Sequence, residues 1–471
     1  MRRLTHLSLL LAIITFCNVA RADVKLPAIF GDHMVLQRGM KVPFWGTADA
    51  GEKVTVKAAG QEKSATADDK GKWRVALDPI DASGPIELTV AGKNTVTFKD
   101  VLVGEVWLCS GQSNMEFPLK RASNADEAIK AADHPKMRLF RVGRAYKDEP
   151  QEDLAGGKWE LCSPQNVGEF TAVGYFFGAE LHEKLNMAVG LIQSDWGGTR
   201  AEAWMPKATF DSLNLPYEPA WTQEWLHPKQ NPASTQPAKE RPYEAPAVLY
   251  NTMIAPFAGY AMRGAAWYQG ETNTAYPVDY RRVLGAMITS WRDAWGEGDF
   301  PFLIVQLPNF DGPTRDWVAL RKSQQQVTKD LPNVARAVTI DLGEAKNIHP
   351  TRKQPVGHRL AALAEKTVYG RDVPYSGPTF KSMQSSGGEI TVWFDHADGG
   401  LASKGDVQGF EIAGDDGKFV PAKAKIAGDE QVVLSADGVA SPKSVRYGWQ
   451  NNPTCTLYNK AGLPAVPFEA K

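Results

Sequence analysis

The chain has 471 residues, 43% hydrophobic and 23% charged, the balance of folded globular protein and enough material for two to four domains. A formal net charge of -1 excludes, on bulk electrostatics, a nucleic-acid groove or a polyanion-binding surface. Fourteen tryptophans and thirteen tyrosines supply flat faces that stack on sugar rings as well as fill cores.

Residues 1–22 read as a secretory signal: Arg2-Arg3, an apolar run from Leu7 to Phe16, and Ala20-Arg21-Ala22 as a cleavage site. That predicts a secreted or periplasmic protein, and no stretch reaches the ~20 apolar residues of a membrane span. Cys109, Cys162 and Cys455 then permit at most one disulfide and leave at least one thiol as a small buried hydrophobe.

Residues 23–100 alternate in short β-like runs, such as Lys53 to Lys57, Trp73 to Leu77 and Ile86 to Val90, between Gly, Asp and Ser clusters. This predicts a small β-sandwich or jelly-roll module. From residue 101 the texture changes: an apolar strand from Val101 to Cys109 stops at Ser110-Gly111, and Ser113 follows. Helices are predicted over 125–132, 173–185, 278–295, 318–329 and 356–367, and strands over 138–142, 188–194, 264–268, 302–307 and 334–340. Such alternation means an α/β domain with a mainly parallel sheet over 101–372, in which reactive groups sit at the carboxyl ends of strands. Residues 206–247, with Trp221 and Trp225, read as a surface excursion, either a binding wall or a plain linker. Alternating strands return over 373–471 and predict a second β-sandwich module.

Three strands end in polar, Gly-containing turns, and a fifth leads to Asp341 and His349. A strand that ends in such a turn presents one hydroxyl beside unpaired backbone N–H groups, which is what a serine nucleophile needs to hold the anion built at an attacked carbonyl. No Cys/His cluster has metal-ligand spacing and no Gly-rich phosphate loop precedes a helix, so neither metal nor other cofactor is implied.

The four polar loops carry Ser113, Gly198, Asn273 and His349 in that order, within the strings GQSNM, SDWGGTRAEAW, AWYQGETN and IHPTRKQPVGHRLA. This order resembles the SGNH hydrolase superfamily, and the strings resemble its sialate O-acetylesterase branch, which includes acetylesterases acting on plant hemicellulose. LPAIFGDHMVLQR near the start and TLYNKAGLPAVPF near the end extend the likeness to most of the chain. The resemblance implies a flavodoxin-like three-layer α/β/α domain flanked by small β modules, and a serine esterase acting on acetylated oligo- or polysaccharide through an acetyl-enzyme. It implies Ser113 as nucleophile, His349 as general base, and an oxyanion hole made of the N–H groups of Ser113 and Gly198 with a side-chain amide from Gln269 or Asn273. The sequence departs from the superfamily where Asp usually stands three residues before the His: Lys346 is there. Either Asp341 folds back to complete a triad or the enzyme works as a Ser–His dyad. Arg200, Glu202, Trp196 and Glu271 are candidates to line or brace the sugar site. The aromatic stretch 206–247 favours hemicellulose such as xylan or xyloglucan, or its oligosaccharides, as substrate, and the rival readings are a sialate O-acetylesterase, a carbohydrate-binding protein of the same fold without turnover, and an esterase for small non-sugar esters.

Overall fold

In the computed structural model, residues 23–216, 241–312 and 316–471 are described. The predicted signal and the tryptophans at 221 and 225 lie outside them.

The central sheet has seven strands on its main path: β1 (Thr95–Gly111), β2 (His134–Arg141), β3 (Trp159–Cys162), β4 (Ala188–Asp195), β5 (Gly264–Tyr268), β6 (Phe302–Val305) and β7 (Val334–Ala337), in the order β7-β6-β5-β1-β4-β2-β3. All neighbours are parallel except the β2–β3 pair at one edge. β4 and β5 are buried at every residue, the continuous burial of a parallel sheet covered on both faces. Gly264 of β5 stands in register with Trp107 of β1, so Trp107 and Trp267 point to opposite faces. Trp107 packs edge-on against Phe177 of one helix, Ala172–Leu185, which in turn packs on Gln354–Thr367. Trp267 packs against Trp291 of Tyr280–Trp295, which packs on Trp317–Asp330. Helices therefore cover both faces of a mostly parallel sheet, and the five predicted helices fall within a few residues of those observed. Trp267 is fully buried, as its place at the end of an apolar strand predicts.

β1 is a 17-residue strand that serves two sheets. Its first part pairs antiparallel with Ile86–Ala91, which also pairs with Lys53–Ala58; its second part lies between β4 and β5. One hydrophobic core accordingly runs from Val24 through the leading strands to Ala364. The last hundred residues form three small antiparallel sheets around a separate core that includes Ile390, Val392, Phe410, Val445 and Phe468. Cys109, Cys162 and Cys455 are all free thiols, and Cys109 and Cys162 are buried. Among the described residues no helix is long and apolar enough to cross a membrane.

Candidate active site

The sheet brings three of the predicted loops together at the carboxyl ends of β1, β4 and β5. Gly111, at the end of β1, has φ +142°, and a Cβ there would lie 2.2 Å from the Tyr268 carbonyl oxygen, so only glycine lets the two strand ends approach this closely. Gln112 donates its N–H to that carbonyl at 3.0 Å, and its side-chain oxygen accepts from the N–H groups of Gly270 and Thr272. Ser113 then opens a one-turn helix, α1 (Ser113–Glu116). Its Oγ lies 2.8 Å from Nε2 of His349, 236 residues later in the chain.

His349 sits in a loop braced from within. One Glu344 oxygen accepts from the Thr351 N–H and hydroxyl, the other from the Asn347 amide, and Asn347 in turn accepts the His349 N–H at 3.0 Å. Asp341 is not part of this arrangement. Its carboxylate takes a bidentate pair of bonds from Arg359, at 2.7 and 2.9 Å, and a third from the Tyr458 hydroxyl at 3.3 Å. Burial opposes the charge, but the Arg359 guanidinium outweighs it and holds the Asp341 carboxyl below its ordinary value. The residue thus ties the sheet to Arg359 and to the C-terminal module, and the expectation that it folds back to orient the imidazole is replaced by a structural ion pair.

The glycine loop after β4 closes on Ser113. A Cβ on Gly197 would lie 3.1 Å from that of Ser113 and 3.0 Å from a Glu116 oxygen, and Glu116 accepts the Gly197 N–H at 2.6 Å. Gly198 has φ +80°, and neither its N–H nor that of Ser113 donates to a described residue. Beneath them lies a buried amide cluster. Gln269 spends both N–H groups, on the Thr199 carbonyl at 3.1 Å and the Asn273 oxygen at 2.7 Å, while its own oxygen accepts from Tyr280. Asn273 accepts a second bond from the Ala201 N–H and presents its Nδ2 to the two Glu202 oxygens at 3.1 and 2.9 Å. Glu202 therefore braces Asn273, and it is fully buried.

The other predicted residues divide between floor and mouth. Arg200 is 6% exposed and lies over the Tyr276 ring, 5.4 Å from its centroid, so it presents little to solvent. Glu271 is buried and accepts from Asn114, the residue after Ser113. Trp196 stands at the mouth, stacked on Tyr243 with centroids 4.9 Å apart and planes 8° apart. Arg144 covers the Trp196 ring at 5.3 Å and pairs with Glu116 at 2.6 Å, and Tyr146 meets the edge of the same tryptophan.

Among the contributors that escape the sequence reading are Asn114, Glu116, Arg144, Tyr243 and Lys353. Two of them lie inside quoted strings, where a polar residue before or within a helix reads as solvated; nothing in spacing marks Lys353 as fully buried. Burial pushes the Lys353 ammonium down to about 7, opposed by the nearby Glu271 and Glu344. His349 is held below the ordinary imidazole value by burial first, then by Lys353 and Arg121, with Glu116 opposing. A neutral imidazole beside a serine hydroxyl is a base in position to take its proton. Among the described residues no group of three or more His, Cys, Asp or Glu stands together to hold a metal ion.

Residues 103–366 match the family described as carbohydrate esterase, sialic acid-specific acetylesterase. The chain is similar to the crystal structure of a carbohydrate acetylesterase from Xanthomonas citri, 39% identical, covering 95% of this chain and 100% of that one with a TM-score of 0.85. It is also 29% identical to the sialate O-acetylesterase of Rattus norvegicus, over 99% of this chain and 97% of that protein, and 29% identical to that of Homo sapiens, over 95% and 92%. More than half of the sequence thus carries the family's pattern, and the chain belongs to the carbohydrate esterases of the sialic acid-specific acetylesterase family, a carboxylic ester hydrolase.

Proposed function

We propose that this enzyme removes O-acetyl groups from hemicellulose such as xylan or xyloglucan, or from its oligosaccharides, outside the cytoplasm. The observation that carries the chemistry is the 2.8 Å contact between Ser113 Oγ and His349 Nε2. His349 takes the hydroxyl proton as Oγ attacks the acetyl carbonyl, and the tetrahedral oxyanion is met by the N–H groups of Ser113 and Gly198. For the third donor we favour Asn273 over Gln269. The N–H groups of Gln269 go to two separate acceptors, whereas both bonds of Asn273 Nδ2 reach the one Glu202 carboxylate, which a single N–H can serve. Collapse of the intermediate returns the proton from His349 to the departing sugar oxygen and leaves Ser113 acetylated; water activated by the same imidazole then releases acetate. We read the pair as a dyad, since the Asp341 carboxylate is committed to Arg359.

A neutral sugar is supported by the mouth, where the stacked Trp196 and Tyr243 and the part-exposed Tyr146 offer aromatic faces. A second reading, sialate O-acetylesterase, is favoured by the names of the mammalian relatives and by Arg144 and Arg241 near those rings. Both arginines are already paired, with Glu116 and Glu244. The signal-like residues 1–22 support export. Acetate release from acetyl-xylan, acetyl-xyloglucan and O-acetylated sialic acid, compared as kcat/KM, tests the proposal. A preference for the sialate substrate by tenfold or more rejects the hemicellulose reading, and no turnover of any acetylated sugar rejects both.

A further inference from the structure

Asn114, between the nucleophile and the buried core, has each end of its amide held. Its Nδ2 donates to Glu271 and, at 2.9 Å, to the carbonyl of Ile348, and its Oδ1 accepts from the Lys353 ammonium. Asn114 follows Ser113 and Ile348 precedes His349, so one side chain links the backbone of the hydroxyl to the backbone of the imidazole. Lys353, at the start of the helix Gln354–Thr367, is fully buried between the rings of Phe117 and Tyr268, 4.8 and 5.3 Å from their centroids. A buried ammonium is costly unless it meets acceptors, aromatic faces or an anion. Here it meets the first two directly, and Glu271 stands across the same asparagine.

Building on the serine esterase reading, we propose that Lys353 and Asn114 are the positioning residues of the Ser113–His349 pair and supply through the backbone the orientation, though not the charge, that a triad carboxylate supplies through the ring. In a triad the carboxylate fixes the imidazole and favours its cationic form. Here the asparagine sets the distance between the two loops, and burial, joined by the Lys353 ammonium at pH below about 7, disfavours imidazolium in the resting enzyme, so that His349 waits as a free base. The charged groups around the ring are Glu116 of α1, Arg121 of the turn Leu119–Arg121, Glu344 of its own loop and Lys353. Lys353 is the one whose charge and hydrogen bond act on the pair together.

The test compares Lys353→Met and Asn114→Ala with wild type and Ser113→Ala on p-nitrophenyl acetate and acetyl-xylan, with circular dichroism to confirm folding. Lys353→Met is expected to lower kcat on the order of 100-fold with KM nearly unchanged. It also moves the acidic limb of the kcat/KM profile to higher pH, because removing a neighbouring cation raises the imidazole pKa. Asn114→Ala cuts the tether but keeps the cation, so kcat falls by a similar factor while the acidic limb stays close to that of wild type. A folded Lys353→Met whose kcat falls without movement of the limb, or either variant with kcat within twofold of wild type, overturns the proposal. Should Lys353→Met fail to fold, Asn114→Ala alone decides by its kcat. Retained activity in Ser113→Ala would instead defeat the esterase mechanism on which the inference rests.

Discussion

Below Ser113 the polar side chains are buried and answered: Gln269 by Thr199, Asn273 and Tyr280, Asn273 by Glu202, and Asn114 by Glu271, Ile348 and Lys353. Above it, Trp196, Tyr243, Tyr146 and Arg144 are partly open to water and meet mainly by stacking and one ion pair. A buried amide held at both ends keeps its orientation while charge develops, which is what stabilisation of an oxyanion requires. A stacked ring is tolerant of what lies on it. On the proposed function the contrast separates turnover from recognition, and the two sets of residues should separate in kinetics.

The largest effect belongs to the nucleophile. Ser113→Ala should lower kcat by several orders of magnitude, up to the ~10⁶ found when a serine hydrolase loses its nucleophile; a tenth of the activity surviving would place the chemistry elsewhere. On the floor, Asn273→Ala should cost ~10²–10³ in kcat with little change in KM, the loss of one oxyanion donor. A rise in KM alone would assign Asn273 to binding and collapse the distinction. At the mouth, Tyr243→Ala should raise KM for acetylated oligosaccharides by roughly 2- to 10-fold, from ~0.5–1.5 kcal/mol of ring contact, and leave p-nitrophenyl acetate turnover alone. The kcat/KM profile should rise with pH through a midpoint below the ordinary imidazole value of 6.5, because His349 is depressed by burial and by Lys353 and accepts a proton only when neutral. A midpoint at or above that value would remove the burial argument.

Asp341 offers a control outside both regions. Asp341→Ala strands Arg359 and should cost about 3–5 kcal/mol of stability, as for a broken buried ion pair. The activity of the folded fraction, measured well below the melting temperature, should remain within a few-fold of wild type. A fall of ~10⁴ in kcat, the scale of a lost triad carboxylate, would restore Asp341 to catalysis.

Much of this was legible in the chain. Strand ends followed by Gly, Ser and Asn mark where chemistry collects, and uninterrupted apolar runs such as Ala188 to Ile192 mark a covered parallel sheet. What escaped has physical causes. Lys99 and Asp100 break the apolar run, so β1 reads as starting at Val101, although Thr95 to Lys99 alternates as a half-exposed antiparallel strand should. Asp341 lies close in sequence to His349, yet its partners come from a helix and from the distant Tyr458, and sequence proximity carries no information about either. Lys353 reads as a solvated helix start because a buried lysine is recognised only by its surroundings.

The long strand that ends two residues before Ser113 has a bearing on how such enzymes can be rearranged. Residues 95–101 hold the leading sheet and residues 102–111 hold the reactive end, within one uninterrupted ribbon. A chimera joined near residue 100 would sever that ribbon and should fail to express as folded protein. The tail, with its own apolar interior, can be exchanged between relatives once its seat around Asp341, Asn309 and Arg321 is preserved. Recombination among these esterases is therefore expected to trade hind segments freely and to inherit the front and the serine as a single cassette.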